Sequence, residues 1–165
     1  VNIFVLDKDP ELAARYHCDK HINKMVVESG QLLSFAHHRF GSATEHMYEY
    51  SKAHVSHPCT LWVCESTSNY WWLYHFMHLL AAEYTRRYHK EHKTIREVAP
   101  HLKRIPRGCR IRPMTPHVQC MPEEFRQANV VEAYRDFYAS KLFTYTSYNH
   151  SQMPKWLAHR MGDYL

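Results

Sequence analysis

Only four glycines occur in 165 residues. So few positions free to take positive φ argue against a turn-rich, sheet-dominated protein. Neither G-x-x-x-x-G-K nor G-x-G-x-x-G is present, which argues against the phosphate cradles of ATP- and dinucleotide-binding enzymes. C-x-x-C and H-E-x-x-H are missing too. The five cysteines, Cys18, Cys59, Cys64, Cys109 and Cys120, form an odd set that disfavours a disulfide framework and fits a reducing compartment. No uninterrupted apolar run reaches about 18 residues and no basic leader precedes an apolar segment, so neither membrane spanning nor secretion is expected. The expected location is cytoplasmic. Acids, finally, are nearly absent from one long stretch: residues 86–112 hold only Glu91 and Glu97.

What is present favours one helical domain over residues 1–165, long enough for a real core. Four tryptophans, twelve tyrosines and seven phenylalanines exceed what such a core needs. Most pack internally, and the remainder are expected to line a groove or stack on a planar ligand. A net charge of +5, with fifteen histidines counted neutral, suits an anionic partner. The charge is concentrated. Against the two acids of residues 86–112 stand Arg86, Arg87, Lys90, Lys93, Arg96, Lys103, Arg104, Arg107, Arg110 and Arg112. These ten are the expected phosphate contacts, and nucleic acid, DNA first, is the expected partner.

Along the chain, NIFVL at Asn2 to Leu6 reads as a short strand or an apolar lead-in. Asp9 before Pro10 starts a helix that runs to His17 and then continues or restarts after Asp19 to about Phe40. Ser42 with Glu45 three residues on forms a capping box and predicts a helix to about His54, broken by His57-Pro58. A short helix from Cys59 to Glu65 follows, then a long one from Tyr70 to about Glu91, apolar on more than one face and therefore central. One short helix is expected within Thr94 to Lys103. The chain then loses periodicity through Pro106, Gly108, Pro113 and Pro116 to Pro122, a length that compact domains reserve for binding or mobile loops. Helix resumes from Pro122 to Phe143, and the tail is poorly periodic, docked by Trp156 and Leu157. The fold class is all-α: a compact bundle of orthogonally packed helices with a long basic loop.

The segment HCDKHINKMVVE, residues 17–28, gathers ionisable groups on one flank of a helix. Ile22, Met25, Val26, Leu32, Leu33 and Ala36 define its core stripe. His17, His21, Lys24 and Glu28 form a line about 110° around the cylinder, bordering the core instead of opposing it. A solvated or core-edge flank without chemistry is the competing, less favoured reading, since Lys24 and Glu28 also make an i,i+4 pair. Base excision from nucleic acid needs a nucleophile for the sugar carbon, an acid or base, and cations for the phosphates. Lys24 offers an amine, Glu28 and Asp19 carboxylates, and His17 and His21 proton carriers; these five are the candidate catalytic residues. At two helix junctions His57 and Asn69, with Trp62 between them, would face a shared cleft as nucleic-acid contacts, Asn69 as a helix cap being the competing reading. Cys18, His21, His57 and Cys59 would make a mixed metal site only if loops gathered them, and their spacing matches no zinc signature. No metal and no cofactor is assigned.

The stretches NIFVLDKDPELAARYHCDKHINKMVVESGQLL, HPCTLWVCESTSNYWWL, EYTRRYHKEHK and AYRDFYASK resemble a family of small phage-encoded proteins. Residues 3–95 also resemble the pyrimidine-dimer DNA glycosylases, with a leading charged helix, the His57-Pro58 junction, a long helix ending near Glu83 to Tyr88, and a basic continuation. That second resemblance implies an all-helical enzyme that flips a nucleotide from damaged duplex DNA, cleaves the glycosidic bond through an imine and then nicks the strand. In those enzymes the amine of a small N-terminal residue attacks, assisted by a glutamate on the first long helix. Here the chain opens Val1-Asn2 with no Thr or Ser, and Lys20, His21 and Lys24 precede the glutamate of that helix, Glu28. The expectation is thus a DNA glycosylase and abasic lyase on damaged pyrimidines, with Lys24 or the N-terminal amine attacking, Glu28 as acid or base and His21 orienting. A metal-dependent nuclease using Asp7, Asp9, Asp19 and Glu28, a non-enzymatic nucleic-acid binder and a nucleotide-binding enzyme are the alternatives.

Overall fold

The computed structural model describes residues 1–142 and 147–162. It contains seven α-helices, orthogonally packed, and no strand among the described residues. α1 (Pro10–Arg15) starts where Asp9 accepts from Glu11 N–H and Pro10 takes the first helical position. α2 (Asp19–Arg39) buries Ile22, Met25, Val26, Leu32, Leu33 and Ala36, the stripe read from its periodicity. α3 (Pro58–Glu65) and α4 (Thr67–Tyr88) meet at Ser66, whose hydroxyl accepts from Asn69 N–H. The cap of α4 is therefore Ser66, not Asn69. α4 is central, packed against α1, α2 and α3, and ends at His89 in the left-handed region (φ 55°).

The expected helix after residue 93 divides into α5 (Lys93–Glu97) and a 3-10 turn at Ala99–Leu102. The C-terminal part holds a 3-10 turn at Glu123–Phe125, α6 (Val130–Leu142) and α7 (Lys155–Gly162). The expected helix end at Phe143 lies outside the described residues. α7 corrects the reading of the tail as aperiodic: Leu157 is buried, and Trp156 packs edge-on against Tyr16 with the Arg135 and Arg160 guanidiniums over its ring.

Two local readings change. NIFVL is a lead-in: Ile3 to Leu6 are buried, with Phe4 against His21, Tyr134 and Tyr138. The helix expected from Ser42 to His54 does not form, because side-chain bonds to neighbouring helices outcompete the capping box. Ser42 Oγ pairs with His37 Nδ1 at 2.9 Å, Tyr48 N–H donates to Ser34 Oγ at 3.1 Å, and Tyr48 and Thr94 share a hydroxyl bond of 2.5 Å. Gly30 admits this strap: a Cβ there would stand 2.8 Å from Thr94 Cγ2 and 2.9 Å from a Tyr48 ring carbon.

The basic loop, residues 103–122, is stitched to the α3–α4 junction. Thr67 N–H donates to Arg110 O at 2.8 Å, Ser68 Oγ to Arg112 O at 2.9 Å, and Trp62 Nε1 to Pro116 O at 2.9 Å. No described helix is long and apolar enough to cross a membrane.

Candidate active site and nucleic-acid surface

The buried lead-in brings the first residue of the chain against α2. Glu28 Oε1 lies 3.8 Å from the Val1 nitrogen and 3.7 Å from Lys24 Nζ. Both distances exceed a normal hydrogen bond and are charge contacts. Glu28 and Val1 are largely enclosed while Lys24 is half-exposed. Val1 also lines a cavity of about 850 Å³ together with Asn2, His57, His117, Cys120 and Arg126. His57 caps α3, its Nδ1 accepting from Cys59 N–H at 3.1 Å. Burial foremost pushes the His57 imidazole below its ordinary range, and His54 adds to the shift. Glu28 therefore lies beside both Lys24 and residue 1, and residue 1 shares a cavity wall with His57.

The other predicted catalytic residues lie elsewhere. His17 is fully buried, bonded through Nδ1 to Ala13 O at 2.7 Å, and burial foremost lowers its pKa to about 3. His21, one turn before Lys24, shares a 3.0 Å bond with Tyr138 OH and stacks on Phe4; burial, then Lys24, Lys141 and Lys20, bring it down to about 4. Both rings pack against Phe4 and Tyr138. Asp19 is fully occupied: Oδ1 meets Arg87 Nη1 at 3.2 Å, and Oδ2 accepts from Asn149 N–H at 2.7 Å and from Ser147 Oγ at 3.3 Å. These bonds hold residues 147–150 against α2 and place Asp19 apart from Lys24 and Glu28 in what it contacts. Asp7 likewise pairs with Arg135 at 2.8 Å and Asp9 caps α1, so the four carboxylates proposed for a metal nuclease do not converge.

Two of the three junction residues are structural as well. Trp62 is buried in the core. Asn69 is buried, donating to Trp62 O at 2.7 Å and to Thr115 Oγ1 at 2.8 Å and accepting from Thr115 N–H at 3.0 Å. Both clamp the basic loop through residues 115 and 116.

The basic segment divides by what its charges meet. Arg87 is buried, its Nε 2.9 Å from Glu83 Oε1 and its Nη2 3.0 Å from Arg15 O, and is withdrawn from the expected phosphate surface. Arg86 is fixed by the same glutamate, and Lys93 and Arg96 both lie beside Glu97. Lys90 is exposed. Lys103, Arg104, Arg107, Arg110 and Arg112 are exposed and meet no carboxylate among the described residues, the Arg112 guanidinium donating to the Glu65 carbonyl. Arg110 and Arg112 border a cleft of about 430 Å³ with Arg39. Gly108 permits this path, since a Cβ there would overlap the Phe40 ring at 2.1 Å.

Residues 1–96 match the sequence profile of the family described as pyrimidine dimer DNA glycosylase, more than half of the chain. The chain belongs to the pyrimidine dimer DNA glycosylase family. No curated protein and no solved structure matches it. The family region contains Glu28, Lys24 and His57, whereas the unpaired arginines of the basic loop and the far wall of the cavity lie beyond it.

That far wall is what sequence reasoning missed. His117, Cys120 and Arg126 belong to no periodic stretch, and Arg39 and Arg126 lie outside the segment dense in charge. One signal was available: the H-x-C at residues 57–59 meets Cys120, and His117, three residues before it, lines the same cavity. Cys59 Sγ donates to Cys120 Sγ at 3.3 Å, which holds Cys120 below the usual thiol range and, with burial, pushes Cys59 up. Cys18, grouped with His57 and Cys59 in the sequence reading, is instead buried beside Tyr138.

Proposed function

We propose that this member of the family is a base-excision enzyme acting on damaged pyrimidines in DNA, a glycosylase with abasic-lyase activity. The observation that supports it is the Glu28 carboxylate held between two nitrogens, the one at residue 1 beside an open cavity. Glu28 accepts a proton from the attacking nitrogen, which then bonds to C1′ of the target sugar as the glycosidic bond breaks and the base leaves with its electron pair and a proton. Opening of the sugar ring yields the imine; loss of a C2′ proton and departure of the 3′ phosphate nick the strand, and water releases the enzyme. The nitrogen of residue 1 is the nucleophile where it carries a free amine, and Lys24 Nζ is the second amine on the same carboxylate. The unpaired arginines hold the flanking phosphates.

The test is incision of a duplex carrying one pyrimidine dimer or one abasic site. Cutting of both supports the reading, and binding with both duplexes left intact replaces it with a non-enzymatic nucleic-acid binder.

The basic loop gives an independent expectation. Changing Arg104, Arg107, Arg110 and Arg112 to Ala should weaken binding to damaged and undamaged duplex alike. The slope of log affinity against log salt should become shallower by about 0.9 for each phosphate that is no longer neutralised. An unchanged slope would remove these arginines from the interface.

A further inference from the structure

The cluster of His57, Cys59 and Cys120 is not used by the excision chemistry. One ligand atom from each residue, an imidazole nitrogen and two sulfurs, lies within 4.8 Å of the others. A tetrahedral zinc ion, with Zn–S near 2.3 Å and Zn–N near 2.0–2.1 Å, separates its donors by about 3.3–3.8 Å. The two sulfurs, 3.3 Å apart, need only spread by about 0.5 Å to the separation of a tetrahedral pair, and the imidazole nitrogen, within 4.8 Å of them, needs to move in by only about 1 Å. Two of the donors are on a rigid element: His57 is the cap of α3 and Cys59 lies in its first turn. The third is carried by the end of the basic loop, 61 residues further along the chain.

We propose that His57, Cys59 and Cys120 bind a zinc-class divalent ion whose fourth position faces the cavity. Sulfur and imidazole donors select zinc and its softer neighbours over magnesium or calcium, which take oxygen. Two thiolates neutralise the dication, so its charge is compatible with Arg126 and the nitrogen of residue 1 on the same cavity wall. His57 and Cys120 line that cavity while Cys59 is buried behind them, which leaves the open position on the cavity side, filled by water. The ion ties the start of α3 to the basic loop and so joins the family region to the segment beyond it.

The experiment uses the full chain, reduced and stripped of metal, titrated with Co²⁺ in the absence of DNA and then with Zn²⁺. The expected result is one equivalent of Co²⁺ with a four-coordinate d–d spectrum and a thiolate-to-cobalt charge-transfer band, both removed by one equivalent of Zn²⁺. Cys120→Ser and His57→Ala should each weaken binding at least tenfold, Cys120→Ser also reducing the charge-transfer band, while Cys64→Ser and Cys109→Ser leave it unchanged. Cys120 and His57 are only partly buried, so these variants carry the test if Cys59→Ser fails to fold. Absence of stoichiometric binding, a band indifferent to Cys120→Ser, or a Cys59–Cys120 disulfide found by mass spectrometry in protein prepared without reductant would overturn the proposal. Because no DNA is present, that failure is separate from failure of the excision reading.

Discussion

Glu28→Gln is expected to lower the rate of base excision by about 10²–10⁴-fold, the range supplied by a positioned acid or base. The change keeps the size of the side chain and removes its ability to take a proton from the nitrogen of residue 1 or from Lys24, which lie 3.8 Å and 3.7 Å from Oε1. Lys24 is half-exposed, so loss of its ion pair should cost the fold no more than about 0–1 kcal/mol. Affinity for dimer-containing duplex should stay within a few-fold, because the phosphate-binding arginines are elsewhere. The checks are single-turnover incision, duplex binding and thermal unfolding on one preparation. Incision at the unaltered rate would show Glu28 to be a packing residue with an incidental ion pair.

The second large effect concerns stability. Arg87 has a fully buried guanidinium shared between Asp19 on α2, Glu83 on its own helix and the Arg15 carbonyl at the end of α1. Removing one member of a buried pair leaves the others uncompensated, at a cost of about 3–5 kcal/mol. Arg87→Ala should accordingly lower the melting midpoint by about 10 °C, at roughly 2–4 °C per kcal/mol for a chain of this size. Adding Asp19→Asn should recover part of the loss, since the amide oxygen can still accept from Asn149 N–H without leaving an unpaired charge. An Arg87→Ala protein that melts with the wild type but binds DNA weakly would return Arg87 to the phosphate surface.

These two residues mark what could be read from the sequence. α2 was legible because its core stripe repeats at helical spacing, and the same numbering put Lys24 and Glu28 on one flank. Asp9-Pro10 announced α1 for a local reason, a side-chain cap followed by a residue with no N–H to lose. Arg87 and Asp19 misled because charge along a chain does not reveal a counter-ion 68 residues away. The Ser42–Glu45 box misled because a cap stabilises a helix by only about 1 kcal/mol, less than the combined bonds to Ser34, His37 and Thr94. Cys120 escaped notice since its partners, His57 and Cys59, sit at the far end of a loop closure that no periodicity encodes.

The most direct measurement is borohydride reduction of the protein on a duplex with a single abasic site, followed by peptide mass mapping of the covalent adduct. The account predicts one adduct, on the nitrogen of residue 1 or on Lys24 Nζ, with its yield abolished in Glu28→Gln. An adduct on a lysine remote from Glu28, or none while the duplex is bound, would contradict it.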